Sequence, residues 1–263
     1  MIHWRRCIPC LLLSLISTAG CVQPAVQTLP APVEFTPMPT AAPTPAPALP
    51  TPTPAAPAIM NEQTRRLTAD MILAAEAGDT PTVLDLLAAG AALDGQDERG
   101  RTAVMAATHG NRVETVRALI AAGADINLRD RRSDNPFLYA GAEGLLEILQ
   151  LTIAAQADTR LTNRFGGTAL IPAADRGHVE IVAELLTRTD VDVNHINNLG
   201  WTALLEAIIL SDGGVRHQQI VQLLVDHGAD VTIADFEGVT PLAHAQQRGF
   251  AEIAAILQQA GAR

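Results

Sequence analysis

The chain has few of the residues on which nucleic-acid binding and thiol chemistry depend. None of its 18 basic residues is a lysine, and 28 acidic residues bring the net charge to −10. Because binding to phosphates needs a positive field, this charge excludes a general nucleic-acid binder and restricts any basic surface to a local cluster. Cys7, Cys10 and Cys21 are the only cysteines. The rest of the chain can therefore form neither disulfides nor cysteine metal sites.

Aromatic residues and catalytic motifs are also scarce. Only 3% of the residues are aromatic although 48% are hydrophobic, so the core must consist of Ala, Leu, Val and Ile. The sequence contains no G-x-S-x-G, P-loop or H-E-x-x-H pattern, and its histidines lack metal-ligand spacing. Asp190 and Asp192 are the most conspicuous acid pair, and they fall where a connection between repeats should begin. We therefore predict no enzymatic activity, no cofactor and no metal.

A module of about 33 residues recurs six times between Thr64 and Arg263. The copies are 64–96, 97–129, 130–162, 163–196, 197–234 and 235–263. Their landmarks are Gly100-Arg-Thr-Ala, Gly166-Gly-Thr-Ala-Leu, Gly200-Trp-Thr-Ala-Leu and Gly238-Val-Thr-Pro-Leu, each followed by a Gly-Ala-Asp or its remnant. These landmarks resemble those of ankyrin repeats. The resemblance implies an all-α repeat solenoid over 61–263, in which six helix–turn–helix units are joined by β-hairpin fingers.

The repeat register also predicts where helices begin and end. Thr or Asn side chains should cap the first helix of repeats two to six, at Thr102, Asn135, Thr168, Thr202 and Thr240. The turn between helices should be left-handed at Gly78, Asn111, Gly144, Gly177 and Gly249. Two copies depart from the pattern: the fourth carries Pro172 inside its first helix, and the fifth expands its turn into 211–217. That loop is either a binding element or a tolerated surface insertion.

The N-terminal segment has the order of a secretory signal. Arg5 and Arg6 precede a short apolar run and the small residues 17–20, so 1–20 is predicted to be a signal peptide. Thr18-Ala19-Gly20-Cys21 resembles the lipobox of bacterial lipoproteins, although that family usually has an aliphatic residue in place of Thr18. The resemblance implies cleavage before Cys21 and attachment of lipids such as palmitate to it. The alternative is an ordinary cleaved signal that leaves an unmodified cysteine.

The segment 21–60 is predicted to connect the anchor to the repeats. It carries 12 of the 17 prolines between Pro24 and Pro57, and within that stretch Glu34 is the only charged residue. Such a composition cannot form a core and samples extended polyproline II, about 3.1 Å per residue. A semi-stiff spacer is the favoured interpretation, and a recognition motif for a proline-binding partner is the other.

The residues at the finger tips suggest a binding surface. Arginines cluster in the second to fourth copies and apolar residues in the fourth to sixth. The predicted partner-binding residues are Arg99, Arg101, Arg129, Arg131, Arg132, Arg164, Phe165, Leu199, Trp201 and Phe236. This composition suits an acidic protein partner with an apolar centre. Alternatively, the arginines form a solvated edge and the rings pack between neighbouring fingers.

Together these features predict a monomeric, non-enzymatic interaction module of the bacterial cell envelope, lipid-anchored at Cys21 and facing the periplasm. Its concave face of fingers and first helices would bind a protein, as the ankyrin resemblance implies. An inhibitor or immunity-type protein that neutralises a toxin or enzyme in the envelope is the alternative. Val22 follows Cys21 where an Asp would favour inner-membrane retention, but the sequence leaves the choice between inner and outer membrane open.

Overall fold

The structure is a computed structural model that describes residues 61–263. The predicted signal peptide, Cys21 and the proline-rich tether lie outside these residues. The described part is entirely helical, with twelve helices arranged as six successive antiparallel pairs. The first helices are α1 (Glu62–Ala77), α3 (Ala103–His109), α5 (Pro136–Glu143), α7 (Leu170–Asp175), α9 (Ala203–Ile209) and α11 (Pro241–Gln247). The second helices are α2 (Thr80–Ala88), α4 (Val113–Ala121), α6 (Leu146–Ala154), α8 (Val179–Arg188), α10 (Val215–Asp226) and α12 (Ala251–Gln259).

The pairs stack into two layers. Each first helix packs against the next first helix along the chain, and each second helix packs against the next second helix. The core between them is aliphatic, and small residues such as Ala106 and Ala107 are fully buried where first helices meet. Leu185, in the middle of the fourth pair, is also fully buried, as its predicted register requires. No helix within 61–263 is both long and apolar enough to cross a bilayer.

The predicted caps form at four of the five positions. Side chains of Thr102, Asn135, Thr202 and Thr240 each accept the backbone N–H three residues later. Thr168 is the exception, because α7 begins two residues later, at Leu170. Pro172 cannot donate a backbone hydrogen bond. The N–H of Ile171 bonds to the carbonyl oxygen of Thr168, and the Thr168 hydroxyl is left buried without a partner among the described residues.

The predicted left-handed turns are confirmed. Positive φ angles occur at Gly78, Asn111, Gly144, Gly177 and Gly249. At Gly144 the space also excludes a side chain: its φ is 75°, and a Cβ atom there would lie 2.8 Å from the ring of His178 in the next pair. The turn therefore requires both the backbone freedom and the small size of glycine.

The prediction that the fingers are β-hairpins is wrong, because residues 61–263 contain no β-strand. Each connection between pairs instead contains a tight turn of five residues, at 97–101, 130–134, 163–167, 197–201 and 235–239. In each, the N–H of the first residue bonds to the carbonyl oxygen of the fifth, at 2.8–3.1 Å. Where neighbouring turns touch, single bonds such as Arg131 N–H to Arg99 O replace a ladder. We call these five turns the fingers.

Candidate interaction surface

All five fingers share one pattern of side-chain to backbone hydrogen bonds that closes the turn. The first residue of each finger is Asp or Asn, and its side-chain oxygen accepts the N–H groups of the third and fifth finger residues. This arrangement holds the backbone in a closed loop and places the third residue at the tip. The tip residues are Arg99, Arg132, Phe165, Leu199 and Glu237. The five first residues are Asp97, Asp130, Asn163, Asn197 and Asp235.

Arg101 does not belong to the exposed surface, contrary to the sequence-based prediction. It is only 6% exposed. Its guanidinium donates to Asp97 at 2.9 Å and to Glu76 of α1 at 3.0 Å. The ion pair with Arg101 lowers the pKa of the Glu76 carboxyl. Arg101 therefore ties the first finger to the first pair of helices.

The other predicted arginines are exposed, and three of them surround a cavity. Arg99, Arg131 and Arg132 line a depression of about 330 Å³ whose wall includes His109. The His109 ring stacks on Tyr139 at 4.1 Å, and burial lowers its pKa, which keeps the ring neutral. The positive charge at this depression thus comes from its arginines, which outnumber the acidic residues Glu98 and Asp130 in the lining. We call Arg99, Arg131 and Arg132 the arginine shelf.

Arg129 has a different role, since its guanidinium donates to two backbone carbonyls. The acceptors are Ser133 O, in the finger that begins directly after Arg129, and Thr162 O, next to the following finger. Although Arg129 is exposed, these bonds hold it against the fingers. The residue therefore bridges two repeats, as the solvated-edge interpretation would allow.

The predicted apolar residues are mostly accessible. Phe165 is 51% exposed and Phe236 78% exposed, whereas Trp201 is partly buried. The Arg164 guanidinium lies 4.6 Å from the centre of the Phe165 ring, a cation–π contact. Phe236 packs over Gly200 of the preceding finger, where a Cβ would come within 2.7 Å of the ring. The ring of Phe236 thus contacts a neighbouring finger and still presents most of its surface to solvent.

A groove of about 260 Å³ runs between the fingers and the first helices of the third to fifth pairs. It brings together four of the predicted residues, Arg132, Arg164, Phe165 and Leu199. Arg99, Arg129, Arg131, Trp201 and Phe236 do not line it. Arg132 lines both this groove and the arginine shelf, so the two surfaces are continuous. We call the fingers together with these first helices the finger face.

The groove also contains acidic residues that the sequence analysis missed. Glu206 of α9 is 7% exposed, and its Oε1 accepts from Asn197 Nδ2 at 2.8 Å. Burial, reinforced by the neighbouring negative charge of Asp175, raises the pKa of Glu206 to about 7. Burial also raises the pKa values of Asp134 and Asp175. A glutamate inside the apolar run Ala203-Leu-Leu-Glu206-Ala-Ile-Ile209 was the available signal, because such a position faces the neighbouring helices.

The expanded turn of the fifth pair is held by both neighbours. His217 Nε2 lies 2.9 Å from the backbone oxygen of Asp175, at the end of α7. Arg248, which follows α11, donates to the carbonyl oxygen of Ser211 at 2.7 Å. Leu210 is exposed and lines the groove. The insertion therefore braces the fourth and sixth pairs, and Leu210, directly before it, contributes an apolar side chain to the finger face.

Asp190 and Asp192 make local structural bonds. Asp190 accepts from the Thr159 hydroxyl, and Asp192 accepts the N–H of Asn194 at 2.9 Å. Within 61–263, no group of three or more acidic, His or Cys side chains could hold a metal ion. These contacts give both carboxylates a structural role.

The two-layer helical stack and its exposed connecting fingers define the molecule as a repeat protein whose surface is suited to binding. The chain belongs to the ankyrin repeat family. The family profile, described as Ankyrin repeats (3 copies), matches residues 71–153 and 137–235. Ankyrin repeat domains are generally protein–protein interaction modules and typically non-enzymatic.

Solved and curated ankyrin proteins show the same likeness. A crystal structure of an ankyrin repeat domain from Acinetobacter baumannii AYE is 50% identical, with a TM-score of 0.72, covering 74% of this chain and 98% of that one. The ankyrin repeat protein EF0377 is 42% identical, with a TM-score of 0.70, covering 73% of this chain and 98% of that one. YahD of Escherichia coli (strain K12), named as an ankyrin repeat protein, is 56% identical over 86 residues. That alignment spans 33% of this chain and 43% of YahD.

Proposed function

We propose that this protein is a non-enzymatic interaction module of the bacterial envelope. It is anchored by lipids on Cys21, faces the periplasm and binds a protein partner through the finger face as a monomer. Each of the six helix pairs serves as one ankyrin repeat. The observation that carries the proposal is the continuity of the arginine shelf with a groove bordered by the exposed Phe165 and Leu199.

The composition of the finger face supports a protein ligand. Arginine and aromatic residues are enriched at protein–protein interfaces, and the energy of binding is concentrated in a few side chains. The arginine shelf favours acidic residues on the partner, while Phe165, Leu199 and Phe236 offer apolar contacts beside it. Since the net charge of the chain is −10, the shelf is a local exception. It should therefore orient the partner during association.

The anchor rests on the sequence Thr18-Ala19-Gly20-Cys21 after a short apolar run. At about 0.8 kcal/mol per buried methylene, one acyl chain holds a protein only weakly, whereas several chains hold it stably. Cys21→Ser should move the protein from the membrane to the soluble envelope fraction and abolish labelling by radioactive palmitate. Cys10→Ser is the matched control and should leave both unchanged. If Cys21→Ser remains on the membrane and still incorporates palmitate, the anchor is elsewhere.

The binding face can be tested with charge and truncation variants. Replacing Arg131 and Arg132 by Glu should slow association with the partner purified from membrane extract and reduce the salt dependence of the rate, since both side chains are exposed. Trp201→Ala should weaken binding by about 2 kcal/mol, mainly through faster dissociation. Arg117→Glu on α4, away from the fingers, is the control. Parental affinity in both finger variants, with folding intact, would refute the assignment of the surface.

A further inference from the structure

The groove of the finger face contains two carboxylates, those of Glu206 and Asp175, that form no ion pair within residues 61–263. Among the described residues, neither Glu206 nor Asp175 has a basic nitrogen within 4.0 Å of its carboxylate oxygens. Glu206 is more than nine-tenths buried, and only its Oε1 accepts a hydrogen bond from the described part of the chain. Burying a carboxylate in this way is costly unless a partner supplies charge and donors.

The other charged residues of the groove make contacts elsewhere. Arg176 Nη1 lies 2.6 Å from Glu143 Oε1, and Arg132 lies 4.0 Å from Asp134. The Arg164 guanidinium sits on the Phe165 ring at the rim. His217 approaches the backbone oxygen of Asp175 and lies 3.4 Å from Asp212. Asp175 and Glu206 are therefore the acceptors that this groove leaves available.

The surroundings indicate what kind of cation would fit. Phe165, Leu199 and Leu210 are exposed, line the same groove as the carboxylates and offer apolar surface there. Long basic side chains combine an apolar stem with a charged end, which matches an apolar rim over an acidic floor. No metal-binding group of three or more side chains exists in residues 61–263. A basic side chain of a protein partner thus matches both the apolar rim and the acidic floor, whereas a bare metal ion would leave the apolar rim uncovered.

We propose that the groove binds a basic side chain, arginine or lysine, of an apolar segment of the protein partner, with Glu206 and Asp175 accepting its N–H groups. This inference rests on the proposed function and specifies the partner more closely. Acidic residues of the partner would meet the arginine shelf, and one basic residue flanked by apolar ones would enter the adjoining groove. The partner surface therefore carries acidic residues on the side that faces the arginine shelf and a basic residue on the side that faces the groove, with Arg132 between the two.

The experiment uses peptides selected from a random twelve-residue phage library on the purified full-length protein. The selected peptides should contain an Arg or Lys beside apolar residues. The strongest binder is then synthesised twice, once with its basic residue and once with a neutral isostere, citrulline for Arg or norleucine for Lys. Isothermal titration calorimetry should show about tenfold weaker binding of the neutral peptide, as expected when a buried charge pair loses one partner.

The role of Glu206 is isolated by a double-mutant cycle. In Glu206→Gln, the difference between the two peptides should fall to about twofold or less, because the buried charge is gone. Glu237→Gln, at the tip of the last finger, is the control and should retain the full difference. Titrations of the parent at pH 7 in buffers of different ionisation enthalpy should show proton release on binding the basic peptide, since a cation favours the charged carboxylate.

Three outcomes would overturn the inference. The library could enrich only peptides without basic residues, or yield no binder, or the preference for the basic peptide could persist unchanged in Glu206→Gln. The proposed function is judged separately, by the natural partner and the Arg131, Arg132 and Trp201 variants. If the natural partner fails to bind those variants but binds Glu206→Gln with parental affinity, the proposed interaction module is supported. The proposal that a basic side chain binds in the groove is then wrong.

Discussion

Replacing Glu206 by Gln should make the protein more stable at alkaline pH and leave its stability unchanged in acid. Gln has the same shape as Glu and keeps an amide oxygen that can accept from Asn197 Nδ2, so the bond at 2.8 Å can persist. The substitution removes only the charge. The charge matters because Glu206 is 7% exposed and lies near the negatively charged Asp175.

The magnitude follows from the two pKa values of this carboxyl. Its pKa is about 7 in the folded protein, against an ordinary value of 4.5. Between these values the folded state holds more protons than the unfolded state, so the free energy of unfolding falls as pH rises. Each pKa unit corresponds to about 1.4 kcal/mol, which sets an upper limit of roughly 3 kcal/mol. Because the groove is open to water, we expect Glu206→Gln to gain about 1–3 kcal/mol at pH 8.

The assay is urea unfolding followed by circular dichroism at pH 4 and at pH 8, with stabilities compared between parent and variant at each pH. The gain should be present at pH 8 and close to zero at pH 4, where the carboxyl is protonated in both states. Glu237→Gln, an exposed finger-tip residue, serves as the control and should show no such pH-dependent gain. An equal effect of Glu206→Gln at both pH values would refute the electrostatic argument.

Two further predictions concern the scaffold. Leu185→Ala should lower the free energy of unfolding by roughly 2–5 kcal/mol, because the leucine is fully buried in α8. Leu73→Ala on exposed surface of α1 should change it by less than about 0.5 kcal/mol, and a similar small change at Leu185 would contradict the packing. Arg101→Ala should cost roughly 1–3 kcal/mol, since Asp97 and Glu76 would lose their donor. Arg99→Ala is its control, and equal stability of the two variants in urea unfolding would show that the Arg101 ion pairs contribute nothing.

Local signals in the sequence predicted the helical scaffold well. Capping side chains and turn glycines act within a few residues, so Thr102, Asn135 and Gly144 could be assigned from the repeat register alone. The cap predicted at Thr168 does not form, because Pro172 lies three residues after the expected start of the helix and α7 begins at Leu170 instead. The prediction of β-hairpins was wrong for a different reason. The Asp or Asn at the start of each finger bonds to two backbone N–H groups of the same finger and closes the five residues into a loop, so no strand ladder forms.

The binding surface was predicted less completely, because burial depends on contacts between neighbouring repeats that are far apart in the sequence. Arg101 is the fifth residue of its finger, whereas the exposed finger arginines are second or third residues, and its guanidinium forms an ion pair with Glu76 of the preceding pair. Glu206 was not recognised because its environment is formed jointly by Asn197 of the finger and Asp175 of the neighbouring helix α7. Composition identifies the charged residues, whereas only the stacking of the pairs shows which charges remain available to a partner.

The most direct test of the central claim is site-specific photocrosslinking in cells. A photoreactive phenylalanine analogue placed at Leu199, an exposed tip of the finger face, should form a covalent adduct with a discrete protein partner on irradiation. The same analogue at Gln222, exposed on the second helix α10, should form none with that partner. Crosslinking from Gln222 and none from Leu199 would show that the partner binds the opposite surface, and would contradict the account.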